Sequence, residues 1–116
     1  MPASPKKRSK FARRPYQPGD KLNVIGPTLR RIRCAREWSQ SQMAIKCQLH
    51  GWDIDRGIVA KLEVSIRAVS DWELLKLCQI LSVTPDELLG VASLPKNASE
   101  LLAYLKSKKR KEITLP

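Results

Sequence analysis

The stretch SQSQMAIKCQLHGWDIDRGIVAKLE, residues 39–63, decides the fold of this chain. It holds two segments in which apolar residues recur with helical spacing, joined by a longer polar turn. Ser39 followed by Gln42 is a capping-box pair, so one helix is predicted to begin there. Gly51 is a plausible stop for that helix, and Asp55 stands at the expected N-cap of the next. Two helices joined by an extended turn are predicted.

The second of these helices is expected to cover about residues 56–63 and to have two unlike sides. Val59 and Leu62 point toward a core, whereas the opposite side is narrow and basic, so its backbone can approach a surface closely. A major groove about 12 Å wide admits one such helix. A solvated basic face is the alternative that the residues alone leave open. The predicted base-facing residues are Arg56, Gly57, Ile58, Ala60 and Lys61.

The remainder of the chain also shows helical patterns, and no stretch alternates as a strand would. A first helix is predicted from Gly26 to near Trp38. Three further starts combine a cap residue with an acid three positions later: Ser70 with Glu73, Thr84 with Glu87, and Asn97 with Glu100. The last helix is expected to reach about Lys109. The chain is therefore predicted to be all-α, with five to six helices.

Charge is unevenly distributed along the chain, whose net value is +11. Residues 1–25 hold seven Lys or Arg and one acid, whereas residues 68–92 hold one Lys and four acids. Such polarisation is typical of a protein that binds a polyanion, although solubility alone is a simpler reason for many basic residues. The N-terminal segment is too polar to fold by itself and is predicted to be a flexible basic arm. Its cations are Lys6, Lys7, Arg8, Lys10, Arg13 and Arg14.

Several function classes lack a signal. The chain has one histidine, no metal-ligand spacing, no Gly-rich phosphate loop and no paired acids in an apolar setting, so we expect neither an enzyme, a metal site nor a cofactor. Cys47 and Cys78 fall at apolar helical positions and are expected in the core, whereas Cys34 is expected to be more exposed. No apolar run approaches the length that spans a bilayer, so no membrane association and a cytoplasmic, nucleoid-associated location are predicted.

Three separate motifs resemble one known family. They are IGPTLRRIRCAREWSQSQMA (25–44), IDRGIVAKLE (54–63) and IRAVSDWELLKLCQILSVTPDELL (66–89). Together they look like the phage-repressor or Cro-like (XRE-type) helix-turn-helix family, over about residues 26–90. The resemblance implies a repressor-like DNA-binding domain at 26–92, between the arm at 1–25 and a C-terminal helix and basic tail at 93–116.

Contacts to DNA phosphates are expected at the start of the second helix. Free N–H groups there, over Ser39 to Gln42, suit an anion. The resemblance implies that Gln40 lies at the family's phosphate-contacting position. It also implies that Arg67 contacts a phosphate or Glu63, with an intramolecular ion pair alone as the alternative.

The sequence departs from the family pattern at two places. The turn between the two central helices is about five residues longer, which puts the angle between those helices in doubt. Ser65 replaces a glycine, and a positive φ there would be strained. Within the long turn, His50 is expected at the surface and Trp52 is expected to seal the turn onto the core.

The predicted function is sequence-specific binding of double-stranded DNA by a transcriptional regulator, as a homodimeric repressor. An antitoxin that binds a toxin and its own operator is the alternative. A dimer surface and simple packing of the last helix onto the domain are equal alternatives for one apolar set: Val91, Leu94, Leu101, Tyr104 and Leu105.

Overall fold

A computed structural model describes residue 15 and residues 17–107, and this part of the chain is all-α, as predicted. No strand occurs within these residues. The six cations of the predicted basic arm, Lys6, Lys7, Arg8, Lys10, Arg13 and Arg14, lie outside the described residues. The helices are α1 (Gly26–Ala35), α2 (Gln40–Leu49), α3 (Arg56–Glu63), α4 (Asp71–Leu81), α5 (Pro85–Leu89) and α6 (Ala98–Ser107).

Side-chain caps begin the helices where the sequence predicted them. Ser39, Ser70 and Thr84 each form a complete capping box, in which the N-cap and the third helical residue satisfy one another's N–H groups. Asp55 accepts the Ile58 N–H at 3.0 Å. Asn97 accepts two N–H groups of the first turn of α6. The predicted starts of α2 to α6 are confirmed. The sequence could predict them because each cap acts over only three residues.

The first five helices end in one shared geometry. A residue with positive φ follows the helix, and the next N–H donates to a carbonyl five residues back, as in a Schellman motif. These bonds are Trp38 to Arg33, Trp52 to Cys47, Ile66 to Lys61, Val83 to Cys78 and Val91 to Asp86, with N···O distances of 2.8–3.1 Å. The positive-φ residues are Glu37, Gly51, Ser65, Ser82 and Gly90. The expected stops at Gly51 and Gly90 are confirmed, and Ser65, which stands in place of a glycine, has a φ of 66°.

Helix α1 is shorter than the sequence indicated. It ends at Ala35 rather than near Trp38. Glu37 has a φ of 60°, so the chain leaves the helix there. The Trp38 ring then packs against the core instead of continuing the helix.

Residues 22–25, which the sequence analysis placed in the basic arm, contact the helical domain. Ile25 is buried in the core, and the Leu22 N–H donates to the Ser65 carbonyl at 2.8 Å. The Asn23 amide donates to the carbonyls of Leu62 and Arg67, while its oxygen accepts the Gly26 N–H. Residues 22–25 therefore fasten the start of α1 to the end of α3.

Helix α6 packs on α1 and completes the core of the same chain. Leu101 and Leu105 are 2% and 1% exposed, and Leu94 and Tyr104 pack against the core. As candidates for a dimer surface these four residues were wrongly chosen, and the packing alternative holds for them. Val91 alone of the set is well exposed, at 76%.

The cysteines lie as predicted. Cys47 and Cys78 are buried, and burial raises the pKa of each thiol to about 11. Cys34 is exposed on α1. In the described part of the chain, no helix is long and apolar enough to cross a bilayer.

Candidate nucleic-acid interface

Helix α3 divides into the two sides that its sequence predicted. Val59 and Leu62 are each 1% exposed and face the core. Arg56, Gly57 and Lys61 are exposed. Because Gly57 and Lys61 are four residues apart, they lie on one row along the outer face of the helix.

The remaining predicted base-facing residues are less open. Ala60 is half-buried beside this row, and Ile58 is half-buried and packs against the core. Ile58 therefore lies at the edge of the outer face and reaches it only with part of its side chain.

The outer row of α3 continues to Val64, a residue that the sequence reading missed. Val64 is 61% exposed. It is seven residues after Gly57 and three after Lys61, so helical spacing places the three on one face. That spacing was the available signal. The row ends in a small apolar side chain.

The two exposed cations of α3 are held in no internal contact. Within the described residues, neither the Arg56 nor the Lys61 side chain makes a hydrogen bond or an ion pair. Arg56 occupies the first helical position, where the helix dipole disfavours a cation. A residue selected for helix stability alone would be acidic there, so Arg56 costs some stability in the absence of an anion.

The amino ends of the helices differ between the two halves of the domain. The first turns of α1, α2 and α3 contain no acid. Those of α4 and α5 each contain two. Acids compensate the dipole at the start of a helix, and the Asp55 carboxylate does so as the N-cap of α3, so of the two central helices α2 keeps a positive amino end that is open to an anion.

Two N–H groups at the start of α2 remain available. The capping box occupies the N–H groups of Ser39 and Gln42, at 2.7 and 3.0 Å. No hydrogen bond joins the N–H of Gln40 or Ser41 to another described residue. The free donors predicted over Ser39 to Gln42 are therefore reduced to the two in the middle.

The Gln40 side chain is committed to an internal network at the end of α3. Its amide donates to Glu63 Oε1 at 3.1 Å. Arg33 on α1 binds the same carboxylate through Nε and Nη2, at 2.5 and 3.0 Å, and also donates to the Trp38 carbonyl. Hydrogen bonding to Glu63 raises the pKa of Arg33 against the effect of burial. One buried carboxylate thus ties α1, α2 and α3 together.

Arg67 forms its ion pair with Glu73 and not with Glu63. Two guanidinium nitrogens lie 3.2 and 3.1 Å from the two Glu73 oxygens. The implied contact with Glu63 is wrong because Arg33 and Gln40 already occupy that carboxylate. The Arg67 side chain is 30% exposed, so part of the guanidinium still faces solvent.

The long turn between α2 and α3 is held firmly against the domain. Trp52 packs against the core and Ile54 is buried, as expected of a turn sealed onto the core. The Gln48 amide donates to the Ile54 carbonyl at 2.8 Å, and Lys76 on α4 donates to the carbonyl of exposed His50. The turn leaves Gly57 and Lys61 exposed, and its contacts define the relative placement of α2 and α3.

Within residues 17–107, no group of three or more His, Cys, Asp or Glu side chains is arranged to hold a metal ion. No family model, curated protein or solved structure matches the chain.

Proposed function

We propose that this chain is a sequence-specific, double-stranded-DNA-binding transcriptional regulator of the phage-repressor or Cro-like type. The observation that carries the proposal is the outer face of α3, where two exposed cations without internal partners flank an exposed glycine. A side chain at that glycine would hold the helix away from a surface. Its absence lets the backbone approach base edges in a major groove.

The contacts divide into base reading and positioning. Arg56 pairs with the O6 and N7 acceptors of a guanine, and Lys61 reaches a second guanine or a phosphate. Ala60 and the exposed edge of Ile58 lie against bases or thymine methyl groups. The open N–H groups of Gln40 and Ser41 receive a phosphate at the start of α2.

In this proposal the chain binds DNA as a homodimer, because the spacing of successive major grooves suits two copies of one recognition helix. Two copies of α3 enter successive major grooves about one helical turn apart, which requires an operator with approximate two-fold symmetry. Bound at a promoter, such a dimer represses by occlusion. Exposed Val91 is the remaining residue of the apolar set available to an interface.

Selection of binding sites from random duplex DNA tests the proposal. We expect the full chain to enrich one symmetric sequence. Arg56→Ala should cost about 1–3 kcal/mol and relax the preference at one position in each half-site. Lys61→Ala should act at a different position if Lys61 reads a base. Lys96→Ala removes the same charge outside α2 and α3 and is the matched control. Failure to enrich any duplex would reject the proposal.

In the antitoxin alternative, the last helix and the basic tail are expected to become ordered on a toxin. Helix α6 instead packs on α1 with Leu101 and Leu105 buried. This helix therefore lends the alternative no support, and DNA reading is the proposal we retain.

A further inference from the structure

A groove on the protein surface lies beside the proposed reading helix, between α1 and the end of α3. Four residues at positions i, i+3, i+4 and i+7 of α1 line the groove together with Glu63 at the end of α3. The groove has a volume of about 430 Å³. The lining residues are Pro27, Arg30, Arg31, Cys34 and Glu63.

The charge of this groove suits an anion. Glu63 is neutralised by Arg33 beneath the surface, where its side chain is only 2% exposed. Arg31 is turned away toward the Pro95 carbonyl, to which it donates. Arg30 is exposed and makes no hydrogen bond or ion pair with another described residue. One unpaired guanidinium therefore stands at the rim of a groove with no free acid.

The groove and the start of α2 meet at the same carboxylate. Glu63 lines the groove and accepts the Gln40 amide, while the open N–H groups of Gln40 and Ser41 begin α2. A DNA backbone whose phosphate contacted the start of α2 would therefore also lie beside α1. Small and aliphatic groups in the lining, among them Pro27, can pack against the deoxyribose rings between the phosphates.

We infer that α1 takes part in binding DNA, and that one sugar–phosphate strand beside the major groove lies in the α1–α3 groove with a phosphate on Arg30. This inference rests on the proposed function and extends it from the two central helices to the first. Arg30 is then a positioning contact that raises affinity for every sequence equally.

The wild-type chain offers a direct test, because Cys34 lies in the groove one helical turn after Arg30. Cys47 and Cys78 are buried, and burial raises the pKa of both thiols to about 11, so a thiol reagent acts on Cys34 first. We expect saturation with a selected duplex to slow the alkylation of Cys34 by iodoacetamide at least about tenfold, since a strand in the groove covers the thiol. An unchanged rate on a saturated complex would overturn the inference.

Substitution of Arg30 gives a second readout. Arg30→Ala should weaken binding to all duplexes by the same factor, and the slope of log K against log salt should become less steep by about 0.9. Lys106→Ala removes one exposed charge on α6 and should leave the slope unchanged. Equal slopes for Arg30→Ala and Lys106→Ala would count against a phosphate at Arg30.

The two proposals fail in distinguishable ways. If the wild-type chain enriches no duplex, the proposed function falls and the groove inference falls with it. If binding depends on Arg56 but Cys34 reacts at the same rate with and without DNA, only the role of α1 is rejected.

Discussion

Glu37 has a backbone conformation that glycine adopts far more readily. Its φ is 60°, in the left-handed region where a Cβ atom is crowded. The conformation is imposed by the end of α1, where the Trp38 N–H bonds to the Arg33 carbonyl and the Trp38 ring reaches the core. Strain at this exposed residue is the local cost of turning the chain into α2.

Replacing Glu37 by glycine should therefore stabilise the fold. We expect Glu37→Gly to raise the free energy of unfolding by about 0.5–1 kcal/mol, measured by urea denaturation. Glu37→Ala removes the same charge but keeps the crowded Cβ, so it should bring no comparable gain. Equal effects of the two substitutions would show that charge, and not backbone strain, is responsible.

A substitution at Gly57 should affect the stability of the fold and the affinity for DNA in opposite directions. An added Cβ would lie 3.3 Å from Asp55 Oδ1, the oxygen that accepts the Ile58 N–H, so this cap must move by a few tenths of an ångström to admit it. We expect Gly57→Ala to keep or raise stability, by up to about 1 kcal/mol, because alanine favours a helix. Its affinity for the selected duplex should fall at least about tenfold, since the methyl group occupies the space between helix and bases. Unchanged affinity would mean that the backbone does not approach DNA there.

At the scale of elements, single carboxylates hold helices together. Glu63 joins three helices, and Glu73 both closes the capping box of α4 and binds Arg67 in the preceding loop. Burial alone would raise the pKa of Glu73, but hydrogen bonds from Arg67 and from Ser70 leave that pKa below its ordinary value. The charged form of Glu73 is thus favoured in the folded chain.

The Glu73 contact predicts a pH dependence of stability. A carboxyl whose pKa is lowered by folding stabilises the chain above its unfolded pKa, near 4.3 for glutamate, and loses this effect as the pH falls through the folded value. Glu73→Gln keeps an acceptor for the capping box but loses the ion pair. We expect it to lower stability at pH 7 by less than about 1 kcal/mol, with a difference that shrinks below about pH 4. Thermal unfolding of both chains from pH 7 to pH 3 measures this, and a constant difference would contradict it.

Glycine also sets the spacing between α1 and α3. A Cβ at Gly26 would lie 2.5 Å from the Leu62 carbonyl oxygen and 2.7 Å from that of Glu63. Both are backbone atoms, so no side-chain adjustment relieves the contact. The start of α1 can meet the end of α3 this closely only with glycine at this position, which keeps Arg33 within reach of Glu63.

Across the molecule, the net charge of +11 is distributed unequally. The first three helices lack acids in their first turns, whereas α4 and α5 carry them. Asp55, the N-cap of α3, places an acid at the start of the third helix, so the starts of α1 and α2 are the ones without an acid. Under the proposed function, we expect a polyanion to approach the side of the domain that holds these two starts.

This distribution predicts a strong dependence of DNA affinity on salt. If each protomer neutralises about six phosphates, log K should fall with log salt with a slope near −5 per protomer, or about −11 for a bound dimer. Fluorescence anisotropy of a labelled duplex at several salt concentrations gives this slope for the full chain. A slope close to zero would reject electrostatic binding.

The sequence by itself determined where helices begin, which side of α3 faces outward and how charge is distributed. These properties depend on residues three or four positions apart, such as Asp55 with Ile58 or Gly57 with Lys61. A cap hydrogen bond or a helical face needs no distant partner, so local reasoning was sufficient.

Only the tertiary structure decided where α1 ends, how residues 22–25 contact the end of α3 and which partner each buried charge takes. Arg33 and Glu63 are 30 residues apart in sequence, and Asn23 bonds to a carbonyl 44 residues away. The family resemblance implied Arg67 as a partner for Glu63, whereas packing brought Arg33 to that carboxylate. The same packing created the groove beside α1, because a groove exists only between elements that distant contacts have brought together.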